Sequence, residues 1–326
     1  MYVPYMYGRR SELLAIRALL GHADRDMTQW LPVVEPVIAQ VNDLARCISL
    51  CQEAGQSIGV IVNPYRHQLR DEDALSAWQN QIWNKLNEAP AIVPTFLADA
   101  RVTLSGLEAF LTRFPDRDLA VVVSDDHLSL RDAQWLSSQA RVRWFLVFTD
   151  HVGSRTIAAL PSPRTIWMKD CFISQVRNAD YQGADFFTDR HTLFQGHAAG
   201  IGDYLCLGKA FQDGGGPPGA VTIHAAYKDL ASQHVRIEHF VSDDQIQLQV
   251  DTAVKFLQAA RKLVNQVRQR PNEFGSNPAL SEFERLVQES LFPQLAGSKK
   301  LQIIHHMCLM MDVLQGRLLS AAPHAR

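Results

Sequence analysis

No stretch of this 326-residue chain holds the roughly 18 consecutive apolar residues that a bilayer-spanning helix needs. The opening MYVPYMYGRR lacks the basic start, apolar core and small-residue cleavage site of a signal peptide, so a cytoplasmic protein without membrane association is expected. Cysteine is scarce and odd in number. Cys47, Cys51, Cys171, Cys206 and Cys308 show no CxxC and no framework spacing, which points to reduced thiols in a reducing compartment. Neither sign of charge prevails: 32 Lys and Arg face 34 Asp and Glu, for a net charge of -2. Bulk charge therefore gives no drive for non-specific nucleic-acid binding. The phrases GxxxxGK[ST], HExxH, HxH and GxSxG are also missing, so no P-loop, zinc site or serine-hydrolase elbow is named by motif.

What is present is an ordinary globular composition, 47% hydrophobic and 20% charged, with ample material for a core. Short apolar runs recur at Leu31–Glu35, Ile58–Asn63, Ala91–Phe96, Leu119–Ser124, Trp144–Thr149, Thr165–Met168, Asp185–Thr188 and Ala220–His224. Helical patterns near 39–54, 71–87, 103–113, 129–139 and 152–160 fall between them, several behind an Asp, Ser or Thr cap. Continuous rather than alternating apolar runs suit parallel strands buried on both faces. The expected fold is α/β, a (β/α)8 TIM-barrel-like domain closed by these eight runs. An N-terminal helix at Ser11–Leu20 precedes them, and an insertion, His191–Gly219 with the turn-forming GGGPPG at 214–219, separates runs seven and eight. Val235–Val241 reads as a hairpin partner of the eighth run, and helices at Val250–Arg268 and Leu301–Leu314 follow. The expected domains are a barrel over 1–245 and a helical extension over 246–326.

In such barrels the working residues stand at the C-terminal strand ends. Glu35 reads either as an acceptor for loop amides or as a general base or metal ligand. Asn63 before Pro64 is a turn former or a ligand contact, and Asp125 and Asp126 are helix caps or site carboxylates. Asp150-His151 is another cap or site pair, and Lys169 is a further strand-end cation. Asp189-Arg190-His191 joins a carboxylate, a forked cation and an imidazole at one strand end, a set suited to acid–base work and to binding phosphate or carboxylate. His224 is either a core histidine or a catalytic one. Gly196-His-Ala-Ala-Gly200-Ile-Gly202-Asp203-Tyr204 is a flexible loop or a backbone cradle for phosphate. Glu35, Asp125, Asp189 and Asp203 are candidate oxygen ligands for Mg²⁺ or Mn²⁺.

Tyr2-Val-Pro-Tyr5, Gly8-Arg9, ELLAIR at 12–17, VVEPV at 33–37 and Val62-Asn63-Pro64 resemble the N-terminal half of the prokaryotic and phage beta-protein family. Thr188-Asp-Arg-His191, Gly202-Asp-Tyr204, Val221-Thr-Ile-His224 with Tyr227, His239-Phe-Val-Ser-Asp243 and Ile304-His-His306 resemble its C-terminal half, so the likeness spans nearly the whole chain. It departs where a serine is expected at Gly202 and a threonine at Ala226. The resemblance implies a barrel-like protein of bacteria and their phages, in mobile or phage-defence gene sets, and brings no reaction with it. The leading expectation is a barrel hydrolase acting on a phosphate-bearing small molecule or nucleotide, with Glu35, Asp189, His191 and His224 as catalytic groups. Asn63, Lys169, Arg190, Gly200, Gly202, Asp203 and Tyr204 would hold the ligand. The alternative is a non-catalytic binding or sensor module that partners another protein of the same operon.

Overall fold

Strands covered on both faces need apolar side chains on both, and the continuous runs meet that need. The computed structural model describes residues 1–22, 24–210, 218–246 and 251–318. In chain order the first elements are β1 (Tyr2–Met6), α1 (Arg10–Leu19), β2 (Val33–Val34), α2 (Asn42–Glu53), β3 (Ile58–Ile61), α3 (Glu72–Glu88) and β4 (Ile92–Ala98). Next come α4 (Leu104–Arg113), β5 (Leu119–Val123), α5 (Leu130–Ser138), β6 (Val142–Phe148), α6 (Ser154–Ala159), β7 (Thr165–Lys169) and β8 (Ala184–Thr188). The last are β9 (Gly200–Asp203), β10 (Thr222–Lys228), β11 (Val235–Val241), α7 (Thr252–Gln269), α8 (Pro271–Phe274), α9 (Pro278–Gln288) and α10 (Gln294–Leu314).

Eight parallel strands close a barrel in the order β1-β2-β3-β4-β5-β6-β7-β9. The TIM-barrel-like fold is thus present, but two of its staves differ from the expected ones. Runs seven and eight, now β8 and β10, lie outside the barrel in an antiparallel three-stranded sheet of order β10-β11-β8. Their places are taken by β1, at the very start of the chain, and by β9, inside the glycine-rich phrase. The segment between the seventh and eighth barrel strands is consequently 170–199 rather than 191–219. The helix at Arg10–Leu19 follows the first barrel strand instead of preceding it. Most of the GGGPPG turn, like residue 250 of the expected 250–268 helix, lies outside the described residues.

Contacts divide the chain into two units: Met1–Lys169 with Arg190–Asp203, and Asp170–Asp189 with the chain from Tyr204 onward. The β10–β11 hairpin therefore groups with the C-terminal helices. In the first unit three helices start behind caps of the expected kind: Asp71, Thr103 and Ser129 accept the amides of Ala74, Gly106 and Asp132. At the opposite ends of three successive βα units an arginine fastens the joint. Arg117 donates to the carbonyls of Leu86, Ala89 and Ile92, Arg141 to Leu111 and Phe114, and Arg164 to Ser137, Gln139 and Val142. Each guanidinium satisfies carbonyls left open where a helix ends and a strand begins.

In the second unit α10 is enclosed along Leu301–Val313. His305 there accepts from Asn277 Nδ2 at Nδ1 (3.0 Å) and donates from Nε2 to the Ala226 carbonyl (2.7 Å), which ties the helix to β10. None of the five cysteines is joined in a disulfide, and Cys47 and Cys51 are buried on α2.

Candidate active site at the strand ends

The end of β2 carries Glu35 into the barrel mouth, where the residue is 1% exposed. Its amide donates to the Met6 carbonyl of β1 at 2.7 Å, which fixes the backbone. One carboxylate oxygen, Oε2, accepts from the Tyr5 hydroxyl at 2.8 Å. The other, Oε1, lies 2.9 Å from Arg66 Nε, an ion pair by distance whose N–H is not aimed for a hydrogen bond; both atoms are buried and lack one. Burial pushes the Glu35 carboxyl above its ordinary range, opposed by the charge of Arg66, the Tyr5 hydroxyl and Arg101. Burial also works against the Arg66 charge, but Glu35 and the rings Tyr7, Tyr65 and Tyr5 outweigh it and hold that guanidinium firmly protonated.

Around this pair stands an aromatic and cationic rim. Arg66 lies 4.9 Å from the Tyr65 ring centre and 5.7 Å from that of Tyr7, and Arg101 lies 3.3 Å from Tyr65. Tyr65 is thus flanked by two guanidinium groups. Arg101 is also held on Asp99 by Nε and Nη2. Beside this rim, the loops after β1 and β2 enclose a cavity of about 240 Å³ lined by Gly8, Arg9, Arg10, Pro36, Val37 and Asp43 among others. Arg66, Arg101, Tyr5, Tyr7 and Tyr65 went unsingled in the sequence. Tyr5 lay in a phrase not read as a strand, and Arg66 and Arg101 stand two or more residues beyond the strand ends.

Several expected site residues turn out to hold the barrel together. Asn63 both donates to the Leu97 carbonyl (2.9 Å) and accepts from its amide (2.8 Å), mimicking a strand neighbour. Arg190 is buried and gives Nη1 to the Trp167 carbonyl (2.8 Å) and Nη2 to that of Gly202 (3.1 Å), bracing β7 against β9. Gly200 and Gly202 are staves rather than a phosphate cradle. A Cβ on Gly200 would lie 2.2 Å from the Met1 carbonyl, and one on Gly202 2.2 Å from the Val3 carbonyl. Asp203, fully buried at the end of β9, accepts from the Tyr2 hydroxyl at 2.9 Å.

Lys169 pairs at the surface with Asp150 (3.1 Å), and Asp125 with His127 (2.9 Å). Asp126 accepts the Gly153 amide. His191 is half-buried in the turn Arg190–Thr192. Asp189 and His224, by contrast, belong with Tyr204 to the second unit, so the expected Asp189-Arg190-His191 set is divided between the units. The metal set of Glu35, Asp125 and Asp189 is not assembled: among the described residues no three His, Cys, Asp or Glu side chains come together to hold an ion. No helix among the described residues is long and apolar enough to cross a membrane. No protein-family model and no curated protein matches this chain.

Proposed function

We propose that the barrel is an enzyme whose acid–base group is Glu35, acting on a small phosphate-bearing molecule or nucleotide. The observation that carries this reading is a carboxylate buried at a barrel strand end with one oxygen lacking a hydrogen bond, beside two guanidinium groups on a tyrosine-rich rim. Burial favours the protonated carboxyl, which suits a general acid. In hydrolysis of a phosphate ester, water adds at phosphorus as the bond to the leaving oxygen breaks; Glu35 gives its proton to that oxygen and regains one from the added water. Arg66, not aimed at Glu35 in the resting site, turns its N–H groups to the phosphoryl oxygens together with Arg101. Mg²⁺ or Mn²⁺ enters this proposal only as a companion of the substrate phosphate, since among the described residues no three His, Cys, Asp or Glu side chains come together to hold a resident ion.

The test is hydrolysis of bis(p-nitrophenyl) phosphate and of nucleotides, with and without Mg²⁺, by the wild type and by Glu35→Gln and Arg101→Ala. The expected result is a fall in kcat of at least about 100-fold for Glu35→Gln, with a rise in KM for Arg101→Ala. Undiminished turnover in Glu35→Gln would refute the assignment. A second reading, a non-catalytic binding module partnering a protein of the same operon, is favoured by the engagement of both sides of Glu35 by Tyr5 and Arg66. It predicts anion binding without turnover. Membership of the beta-protein family, a cytoplasmic location and a phage-defence setting belong to the same proposal, supported by the phrases quoted above and tested by whether deletion of the gene alters phage plating.

A further inference from the structure

The three-stranded sheet of the second unit lines up one polar residue from each strand. His224 on β10 and His239 on β11 are direct cross-strand partners, and Asp185 on β8 pairs with Ile237, two residues from His239 and so on the same face of the sheet. The side chains meet accordingly. His239 Nε2 lies 3.1 Å from Asp185 Oδ2, and His239 Nδ1 lies 2.8 Å from His224 Nδ1.

The hydrogen positions follow from the partners. The carboxylate accepts only, so His239 carries its proton on Nε2 and presents a lone pair at Nδ1. His224 must then carry its own proton on Nδ1, which leaves its Nε2 as a lone pair. Among the described residues no hydrogen bond reaches that Nε2, and His224 is half-buried. The strand is fixed behind it: the His224 amide donates to Gln302 Oε1 at 2.9 Å, and Gln302 Nε2 donates to Ser298 Oγ at 3.2 Å. The rings of Tyr181 and Phe172 stand edge-on to the imidazole, with centres 4.6 and 5.0 Å away.

We infer that Asp185, His239 and His224 form a second site in which His224 Nε2 accepts a hydrogen bond from an uncharged aromatic hydroxyl compound. The acceptor requires a ligand that brings a donor, the two rings supply an aromatic wall, and the carboxylate behind the relay disfavours an anion. The ligand keeps its proton: its O–H donates to His224 Nε2 while His224 Nδ1–H donates to His239 Nδ1 and His239 Nε2–H donates to Asp185. Burial, with a smaller contribution from His239, holds His224 down to about 3, so its free nitrogen stays unprotonated in mild acid. Burial lowers His239 too, with Asp185 opposing. Among the described residues Tyr181 also faces both imidazoles, raised by burial and hence neutral, and the charge of Glu238 adds a small upward pull on His239.

Diethyl pyrocarbonate, which acylates only unprotonated imidazole nitrogen, tests this in the full chain at about pH 5, where imidazoles of ordinary acidity, near 6.5, are almost wholly protonated. Mass spectrometry reads the rate at each histidine, and thermal melting confirms folding. The expected result is labelling of His224 ahead of the exposed histidines, and protection by excess phenol. Asp185→Asn slows it by about tenfold or more, because the amide can hold His239 in the opposite tautomer and so place the His224 proton on Nε2. Asp185 is about a third exposed, so the variant need not unfold. An unlabelled His224, labelling indifferent to Asp185→Asn or to phenol, or protection by stoichiometric zinc, which would make the two nitrogens metal ligands, would each overturn the inference. None of these outcomes touches the Glu35 assay, so the two proposals stand or fall separately.

Discussion

If Gly202 is a barrel stave rather than part of an anion cradle, its replacement by alanine should act on stability before it acts on any ligand. The new Cβ would lie 2.2 Å from the Val3 carbonyl oxygen and 2.4 Å from Met168 Sδ. The methionine can swing aside. The carbonyl cannot, since Val3 is the register partner of Gly202 across the β1–β9 seam that closes the barrel. A tolerable contact requires β1 to retreat by about 1 Å, which strains the adjoining bond from the Ile201 amide to the Met1 carbonyl, now 3.1 Å. Overpacking of about 1–3 kcal/mol together with a weakened ladder bond of about 1 kcal/mol gives an expected loss of about 3 kcal/mol. At about 2–4 °C per kcal/mol, the melting temperature of this unit falls by roughly 6–12 °C. Calorimetry and urea titration would be read against Gly21→Ala, whose Cβ meets nothing within 4 Å; that change should stay within about 0.5 kcal/mol. If Gly202→Ala melts with the wild type, the close-approach argument fails and a ligand role for the glycine returns.

The arginine joints should behave as forks rather than as charges. Arg164→Lys keeps the charge but cannot reach the carbonyls of Ser137, Gln139 and Val142 together, so urea denaturation should show a loss of about 2 kcal/mol; an unchanged midpoint would remove them from the account of the fold. Acid should selectively weaken the second unit. The folded His224 sits at about 3 against about 6.5 unfolded, so the unfolded chain takes up the proton first and stability falls as pH drops below 6.5, by about 2 kcal/mol at pH 5 from this one residue. His224→Gln should flatten that slope in pH-dependent melting, and a slope left intact would contradict the burial of the imidazole. For Glu35 the sign is opposite: a carboxyl raised by burial favours folding most below its unfolded value and loses that contribution as pH rises through the folded one. Glu35→Gln should therefore gain stability relative to the wild type as pH climbs from about 4 to 8, and a constant difference would show that the carboxyl titrates normally.

The local pattern of the chain determined most of its elements. Apolar runs marked β3 to β7, and 3.6-residue periodicity with capping Asp, Thr and Ser placed α3 to α5 to within a residue, while α2, without such a cap, begins three residues later than expected, because burial and capping are local demands. The same runs also marked β8 and β10 correctly as strands. What they could not carry was the partner: an apolar run reports that a strand is buried, not which sheet buries it. Only the tertiary structure decided that β1 and the glycine-rich β9 close the barrel while β8 and β10 join β11 elsewhere. The site followed the same division. Glu35 was legible because a carboxylate at the end of an apolar run is conspicuous in one dimension. Its partners Tyr5 and Arg66, and the Asp185-His239-His224 alignment, were not, because strand pairing joins residues 15 to 54 positions apart and sequence distance carries no trace of it.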